Sequence, residues 1–293
     1  MGAYRPGTAI ITGGASGIGR ALAACLVAGG TYAVLADRDY PAAERAAADL
    51  SAGGPGRAVA AELDVTDAAA VHALVDSVAA QRGRLDLMAN NAGVLFAGAF
   101  EETTDRHWDV AIAVNLRGVV EGARAAYDVM AAQRRGRERA GVILNTASLA
   151  GLIPGPTMAP YTTTKWAVVG FSQALRAEAR RHGIQVNVLC PGYVDTKLID
   201  EVFEPGPTYA VGRFRANIKA LQPRLLTADE VAAAAVRGIE RDRPVIPVGG
   251  FAQLSWRAQR FAPGVVRQST RLQAAREARQ ARRVAHGDAD VTG

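Results

Sequence analysis

Thr8-Ala9-Ile10-Ile11-Thr12-Gly13-Gly14-Ala15-Ser16-Gly17-Ile18-Gly19 is the stretch that decides the fold of this chain. Thr8 to Ile11 is apolar and β-prone, and reads as a buried strand. Glycines follow at once, and Arg20 to Val27 has the composition of a helix. Strand, glycine turn and helix together open a nucleotide-binding α/β unit. Glycine lets the backbone come close to a pyrophosphate. The helix N-terminus then offers free N–H groups and the positive end of its dipole. The spacing is Gly-x-x-x-Gly-x-Gly, which differs from the commoner Gly-x-Gly-x-x-Gly.

A second apolar strand, Tyr32 to Ala36, ends in Asp37. An acid at that place can accept hydrogen bonds from both adenosine ribose hydroxyls, and it repels a 2′-phosphate. NAD is therefore the expected cofactor. Arg38 keeps NADP as the alternative, because a guanidinium turned inward could hold a 2′-phosphate. Further strands are predicted at 57–61, 85–89, 142–147, 185–190 and 244–248, alternating with Ala-rich helices. That alternation predicts one α/β domain, a doubly wound parallel sheet of about seven strands covered on both faces. Ligands of such a sheet sit beyond the carboxyl ends of its strands. Asp37, Asn90, Ser148 and Pro191 all fall at such ends.

The second chemical signal is Tyr161-Thr162-Thr163-Thr164-Lys165, with Ser148 upstream. Residues four apart on a helix share a face. An ammonium near a phenol favours phenolate and is expected to lower the tyrosine pKa from about 10. That would make Tyr161 a proton-transfer group near neutral pH. Taken singly, each of these residues also has a plain structural reading: a helix pair, a turn serine, a capping asparagine at Asn115.

In these motifs the chain resembles a classical member of the short-chain dehydrogenase/reductase family. The family's glycine motif falls on Gly13, Gly17 and Gly19, with Ser16 and Ile18 between them. Its adenine-pocket pair falls on Asp64-Val65 and its Asn-Asn-Ala-Gly motif on Asn90-Asn91-Ala92-Gly93. Its catalytic asparagine, serine, tyrosine and lysine fall on Asn115, Ser148, Tyr161 and Lys165. Its Pro-Gly motif falls on Pro191-Gly192, with Val194 and Thr196 at the carboxamide and phosphate contacts. The resemblance covers about 6–250, leaving 251–293 as a basic extension. It implies a Rossmann-like fold and hydride transfer between a nicotinamide and a carbon bearing an alcohol or ketone. Tyr161 would take the hydroxyl proton and Ser148 would hold the same oxygen. Lys165 would bind the nicotinamide ribose, and Asn115 would help hold a proton-relaying water. The resemblance also implies a homodimer or homotetramer, built partly from helices around 103–135 and 158–182.

Three mostly apolar segments are expected to line the substrate pocket. They carry Leu95 and Phe96; Leu149, Ile153 and Met158; and Leu198, Ile199, Val202, Phe203, Tyr209, Phe214 and Ile218. The third, about 193–225, is expected to close as a lid hinged at Pro205-Gly206-Pro207 and Gly212. The lining predicts a hydrophobic secondary alcohol or ketone of terpenoid, steroid-like or fatty type. An NADP-dependent carbonyl reductase is the enzymatic alternative. A non-catalytic nucleotide-binding protein on the same fold is the alternative of another class.

Composition sets the remaining bounds. The 293 residues are 49% hydrophobic, enough for a large core, and no run reaches the ~18 apolar residues of a membrane span. Cys25 and Cys190 are read as small core residues in a reducing compartment, and a cytoplasmic location is expected. His72, His107, His182 and His286 are scattered, so no metal site is predicted and each is read as a helix-surface or loop residue. The formal charge of +6 is concentrated from Arg257 onward, where eight arginines stand against Glu277, Asp288 and Asp290. Pro263-Gly264 is expected to break this tail, with a helix over 268–283. Its arginines point all around that helix, so a solvated terminal helix is expected and no nucleic acid is predicted as a partner. Weak peripheral membrane contact through Trp256, Phe261 and the arginines is the alternative.

Overall fold

The computed structural model describes residues 4–133, 139–204 and 211–285. Within these, seven parallel strands form one sheet: β1 (Thr8–Thr12), β2 (Tyr32–Asp37), β3 (Arg57–Glu62), β4 (Leu87–Asn90), β5 (Gly141–Thr146), β6 (Ile184–Pro191) and β7 (Val245–Val248). They lie in the order β3-β2-β1-β4-β5-β6-β7. The order reverses between β1 and β4, and the crevice for a ligand opens at that point.

The helices are α1 (Gly17–Ala28), α2 (Tyr40–Ser51), α3 (Ala68–Arg82), α4 (Asp105–Ile112), α5 (Gly118–Ala132), α6 (Ala159–Ala179), α7 (Val211–Leu221), α8 (Ala228–Glu240), α9 (Gly250–Phe261) and α10 (Pro263–Ala285). Local chemistry sets several of their ends. Asp39 and Asp67 accept from Ala42 N and Ala70 N and cap α2 and α3. Gly83 takes a left-handed φ of 73° and stops α3. Thr227 and Glu230 form a reciprocal capping box at the start of α8.

Side-chain alternation along β1 builds the two layers of the core. Ile11 packs with Leu22 and Leu26 of α1 and Val231 of α8. Ile10 packs on the other face with Val71 and Val75 of α3 and Ala126 of α5. Each such buried Val, Leu or Ile side chain stabilises the fold by roughly 1.5–3 kcal/mol. The Ala-rich inner faces of α1 and α5 let the helices lie close to the sheet. Gly122 marks the limit, because a Cβ there would come 2.0 Å from Asn90 Oδ1.

Several local expectations need correction. Cys25 is exposed on the outer side of α1, and Cys190 alone of the pair is buried. His107 is buried rather than on a helix surface. It packs on the Phe96 ring, its Nδ1 accepts from Thr104 N at 2.9 Å, and its Nε2 lies 2.9 Å from Glu204 O. The last helix begins at Pro263 itself, since proline suits the first helical position, and it runs to Ala285. Tyr209, His286 and the 205–207 hinge lie outside the described residues.

Candidate active site

The carboxyl ends of β1, β2, β4, β5 and β6 converge on one cleft of about 1260 Å³. That volume suffices for a dinucleotide and a small substrate together. Gly13, Ser16, Gly17, Ile18, Asp37, Arg38, Asp64 and Val65 line one end of it. Tyr161, Lys165, Ser148, Leu95, Leu149, Ile153, Met158, Leu198 and Phe203 line the other, whereas Phe96, expected there too, turns away to pack on His107.

The glycine turn is shaped for close approach. Gly13 and Gly17 have φ of 62° and 52°, a region that L side chains rarely adopt. A Cβ on Gly19 would lie 2.1 Å from Gly13 O, so only glycine fits there. Ser16 caps α1 in an extended conformation with no side-chain hydrogen bond, which leaves the first N–H groups of the helix open to an anion. Thr196 stands over the turn, its Cγ2 3.3 Å from where a Gly17 Cβ would be. Asp37 accepts from Ala15 N at 3.0 Å and from Asp39 N at 3.1 Å, which fixes its carboxylate beside the turn. Arg38 is exposed at the same rim. These features fit a dinucleotide.

Thr12 is a site residue that the motif reading missed. Its hydroxyl accepts from Asn91 N at 2.9 Å and Ala92 N at 3.1 Å, and it is 3% exposed. Asn91 returns the contact by donating to Thr12 O at 3.2 Å and Gly13 O at 3.3 Å. The glycine turn and the Asn-Asn-Ala-Gly loop are thus tied to each other. Gln222 does the same for the Pro191-Gly192 loop. It accepts from Tyr193 N and donates to Tyr193 O at 2.7 Å.

Asn115 lies in a π-helical turn, Ala113–Arg117, between α4 and α5. Such turns recur at functional sites. Its side chain is fully used: Oδ1 accepts from Val94 N at 2.8 Å, and Nδ2 donates to Val94 O at 2.9 Å and Thr164 Oγ1 at 3.4 Å. A Cβ on Gly93 would meet Asn115 Oδ1 at 3.1 Å and Lys165 Nζ at 3.6 Å, so the three residues crowd together.

Tyr161 and Lys165 sit one turn apart on α6, and both are buried. Lys165 Nζ donates to Thr146 O at 2.9 Å and lies 5.5 Å from the centroid of the Tyr161 ring. Ser148 caps a short turn, accepting from Ala150 N at 3.2 Å. The expected lowering of the Tyr161 pKa does not hold here. Burial raises the phenol above its usual value, with Ser148 pulling the other way. Burial also lowers Lys165 to about 8, because a dry site resists an ammonium. Cys190, beneath them, is pushed up to about 12 by the same burial.

Around Tyr161 the wall is apolar. Leu95, Ala97, Ala150 and Met158 form a buried cluster with it, and Leu198, Val202 and Phe214 pack against that cluster. Phe96 is buried on the His107 ring, Leu149 belongs to the neighbouring layer, and Ile153 lines the cleft. Phe203 N donates to Leu95 O at 2.8 Å, so the segment after β6 is pinned across the first pocket loop. A further wall was not expected. Leu254, Ser255 and Ala258 of α9 and Val265, Ser269 and Gln273 of α10 also border the cleft. No group of three or more His, Cys, Asp and Glu gathers as a metal site among the described residues.

Comparison with known proteins agrees with this geometry. A sequence model described as "short chain dehydrogenase" matches residues 7–206. The chain is 34% identical over 266 residues to "Probable oxidoreductase EphD" of Mycobacterium tuberculosis, covering 89% of this chain and 44% of that protein. It therefore spans less than half the length of that relative. It is also 34% identical over 226 residues to "2-(S)-hydroxypropyl-CoM dehydrogenase 3" of Xanthobacter autotrophicus, covering 77% and 86% of the two chains. Mouse "15-hydroxyprostaglandin dehydrogenase [NAD(+)]" is 31% identical over 119 residues, 40% of this chain and 44% of that one. Among solved structures, a short chain dehydrogenase/reductase from Burkholderia phymatum in complex with NAD has a TM-score of 0.79 at 31% identity, covering 90% and 96% of the two chains. Sheet order, glycine turn and sequence match all lead to one conclusion: the chain belongs to the short-chain dehydrogenase family.

Proposed function

We propose that this protein is an NAD-dependent oxidoreductase for a hydrophobic secondary alcohol or its ketone. The observation that carries the reading is the placement of Tyr161, Lys165 and Ser148 between an apolar pocket and a cleft that ends at Asp37. A relative named for NAD(+) and a structure solved with NAD support the choice of cofactor. The exposed Arg38 beside Asp37 favours NADP as the second reading.

When bound, the oxidised cofactor supplies the hydride acceptor. The chain supplies orientation and proton handling. Ser148 holds the substrate oxygen by a hydrogen bond. Tyr161, as phenolate, takes the hydroxyl proton, and Lys165 binds ribose hydroxyls and passes protons on. The Asn115 side chain is spent on Val94 and Thr164. Its help to a relaying water would therefore come from main-chain carbonyls loosened by the π turn. Gly13, Ser16, Gly17, Ile18, Gly19 and Thr196 bind the pyrophosphate. Asp64 and Val65 border the adenine, and Asn91, Ala92, Gly93, Pro191, Gly192 and Val194 border the nicotinamide side. The exposed Ile112 and Trp166, on α4 and α6, support self-association through those helices.

The Tyr161→Phe variant tests this reading. Turnover should fall by about 10²–10⁴-fold. NAD affinity, measured by calorimetry, should stay within a few-fold of wild type. Turnover that survives in the variant would remove Tyr161 from the chemistry.

A further inference from the structure

We propose that α9 and α10 form a docking surface for an anionic lipid bilayer, onto which the mouth of the substrate cleft opens. Four large apolar side chains are exposed on this hairpin: Leu254 (68%), Phe261 (84%), Val265 (66%) and Leu272 (52%). Leu254 and Phe261 are seven residues apart on α9, as are Val265 and Leu272 on α10. Each pair therefore lies on one face of its helix. The far side of α9 buries Ala252 in the core, and Val266, next to Val265, is buried at the wall of the cleft.

The same two helices are strongly basic. Arg257, Arg260, Arg267, Arg271, Arg276 and Arg279 are all exposed, and none forms an ion pair among the described residues. The one acid of the two helices, Glu277, is half-buried, and Gln273 donates to its Oε1 at 3.0 Å. Exposed apolar side chains on helices whose exposed arginines form no ion pair, with Arg260 stacked over the Trp256 ring at 5.6 Å, match an anionic membrane interface, where the apolar groups enter the acyl boundary and the arginines meet phosphates. A second copy fits less well, because a two-fold contact would set this basic face against itself. Leu254 and Val265 also border the cleft, so a lipophilic alcohol could pass from bilayer to pocket without crossing water. The substrate half of this argument rests on the proposed function, whereas the docking half does not.

Cosedimentation of the full chain with phosphatidylcholine vesicles, with and without phosphatidylglycerol, is the test. Binding is expected only to the anionic vesicles, and it should weaken as salt rises. Phe261→Ser/Leu272→Ser should reduce that binding by at least about tenfold, as should Arg260→Gln/Arg267→Gln/Arg271→Gln. None of these five residues lines the cleft, so turnover of a water-soluble alcohol should stay unchanged and serves as the folding control. Absence of binding to either vesicle would overturn the proposal, as would wild-type binding by either variant. So would a wild-type dimer that stays off vesicles and becomes monomeric in the Phe261→Ser/Leu272→Ser variant. Because vesicle binding is read without turnover, it separates this proposal from the enzymatic one.

Discussion

In the proposed reaction, Tyr161 has to give up a proton in a place that burial makes hostile to charge. The phenol lies above its usual pKa and Lys165 is lowered to about 8, so each group resists ionising. The sign of the pH dependence follows. Oxidation requires the phenolate, which grows scarcer as pH falls below a raised pKa. Oxidative kcat/KM should therefore rise across the neutral and mildly alkaline range, by up to about tenfold per pH unit. Reduction, which requires the phenol, should not rise with it. A pH-rate profile in both directions checks this, and a flat oxidative limb would contradict it. Asp37 carries the second prediction at this scale. Asp37→Ala should weaken NAD binding by about tenfold or more, the loss of one or two charged hydrogen bonds, and should leave NADP binding unchanged or tighter. Calorimetry with both cofactors reads it directly, and unchanged NAD affinity would remove Asp37 from the ribose site. The four candidate positions Asn115, Ser148, Tyr161 and Lys165 could be picked out because their types and spacing suggest the chemistry, and the structure gathers them at one cleft. The direction of the Tyr161 shift was not, because a charge four residues away is a sequence fact while the dryness around it comes from the whole pocket.

Among the elements, the strands were legible almost to the residue because each is an apolar run bounded by turn residues. β4 is an informative exception. The apolar run begins at 85, but the strand begins at Leu87. Leu85 is outside the ladder because Gln133 takes both its polar groups, donating to Leu85 O and accepting from Leu85 N. No local pattern encodes a side chain from the end of α5. Thr12 was missed for a related reason, since at the end of β1 it reads as one more β-branched residue. Its hydroxyl serves two part-buried N–H groups of the loop after β4, and Thr12→Val keeps the shape while removing their acceptor. That should cost about 1–3 kcal/mol of stability, seen as a lower urea midpoint with unchanged slope. NAD affinity should fall with it, because the glycine turn loses its tie to Asn91. Wild-type stability in this variant would mean that water replaces the hydroxyl.

For the molecule as a whole, the order of the sheet puts five strand ends around one crevice, and the helices supply its walls. The part least visible beforehand was the return of α9 and α10 to that crevice. A tail with few apolar residues reads as solvated, and only the folded arrangement brings Leu254, Val265 and Gln273 to the cleft's edge. Cys25 and His107 were misplaced for the same reason: the face a helix buries depends on what packs against it. The claim to be tested before any other is that this cleft oxidises hydrophobic secondary alcohols with NAD. The measurement is the absorbance of reduced nicotinamide on mixing the protein with a panel of terpenoid, steroid and fatty secondary alcohols, with NAD and NADP in parallel. Turnover with NAD, and little or none with NADP, is the predicted result; turnover with NADP alone, or with neither cofactor across the panel, would contradict the account.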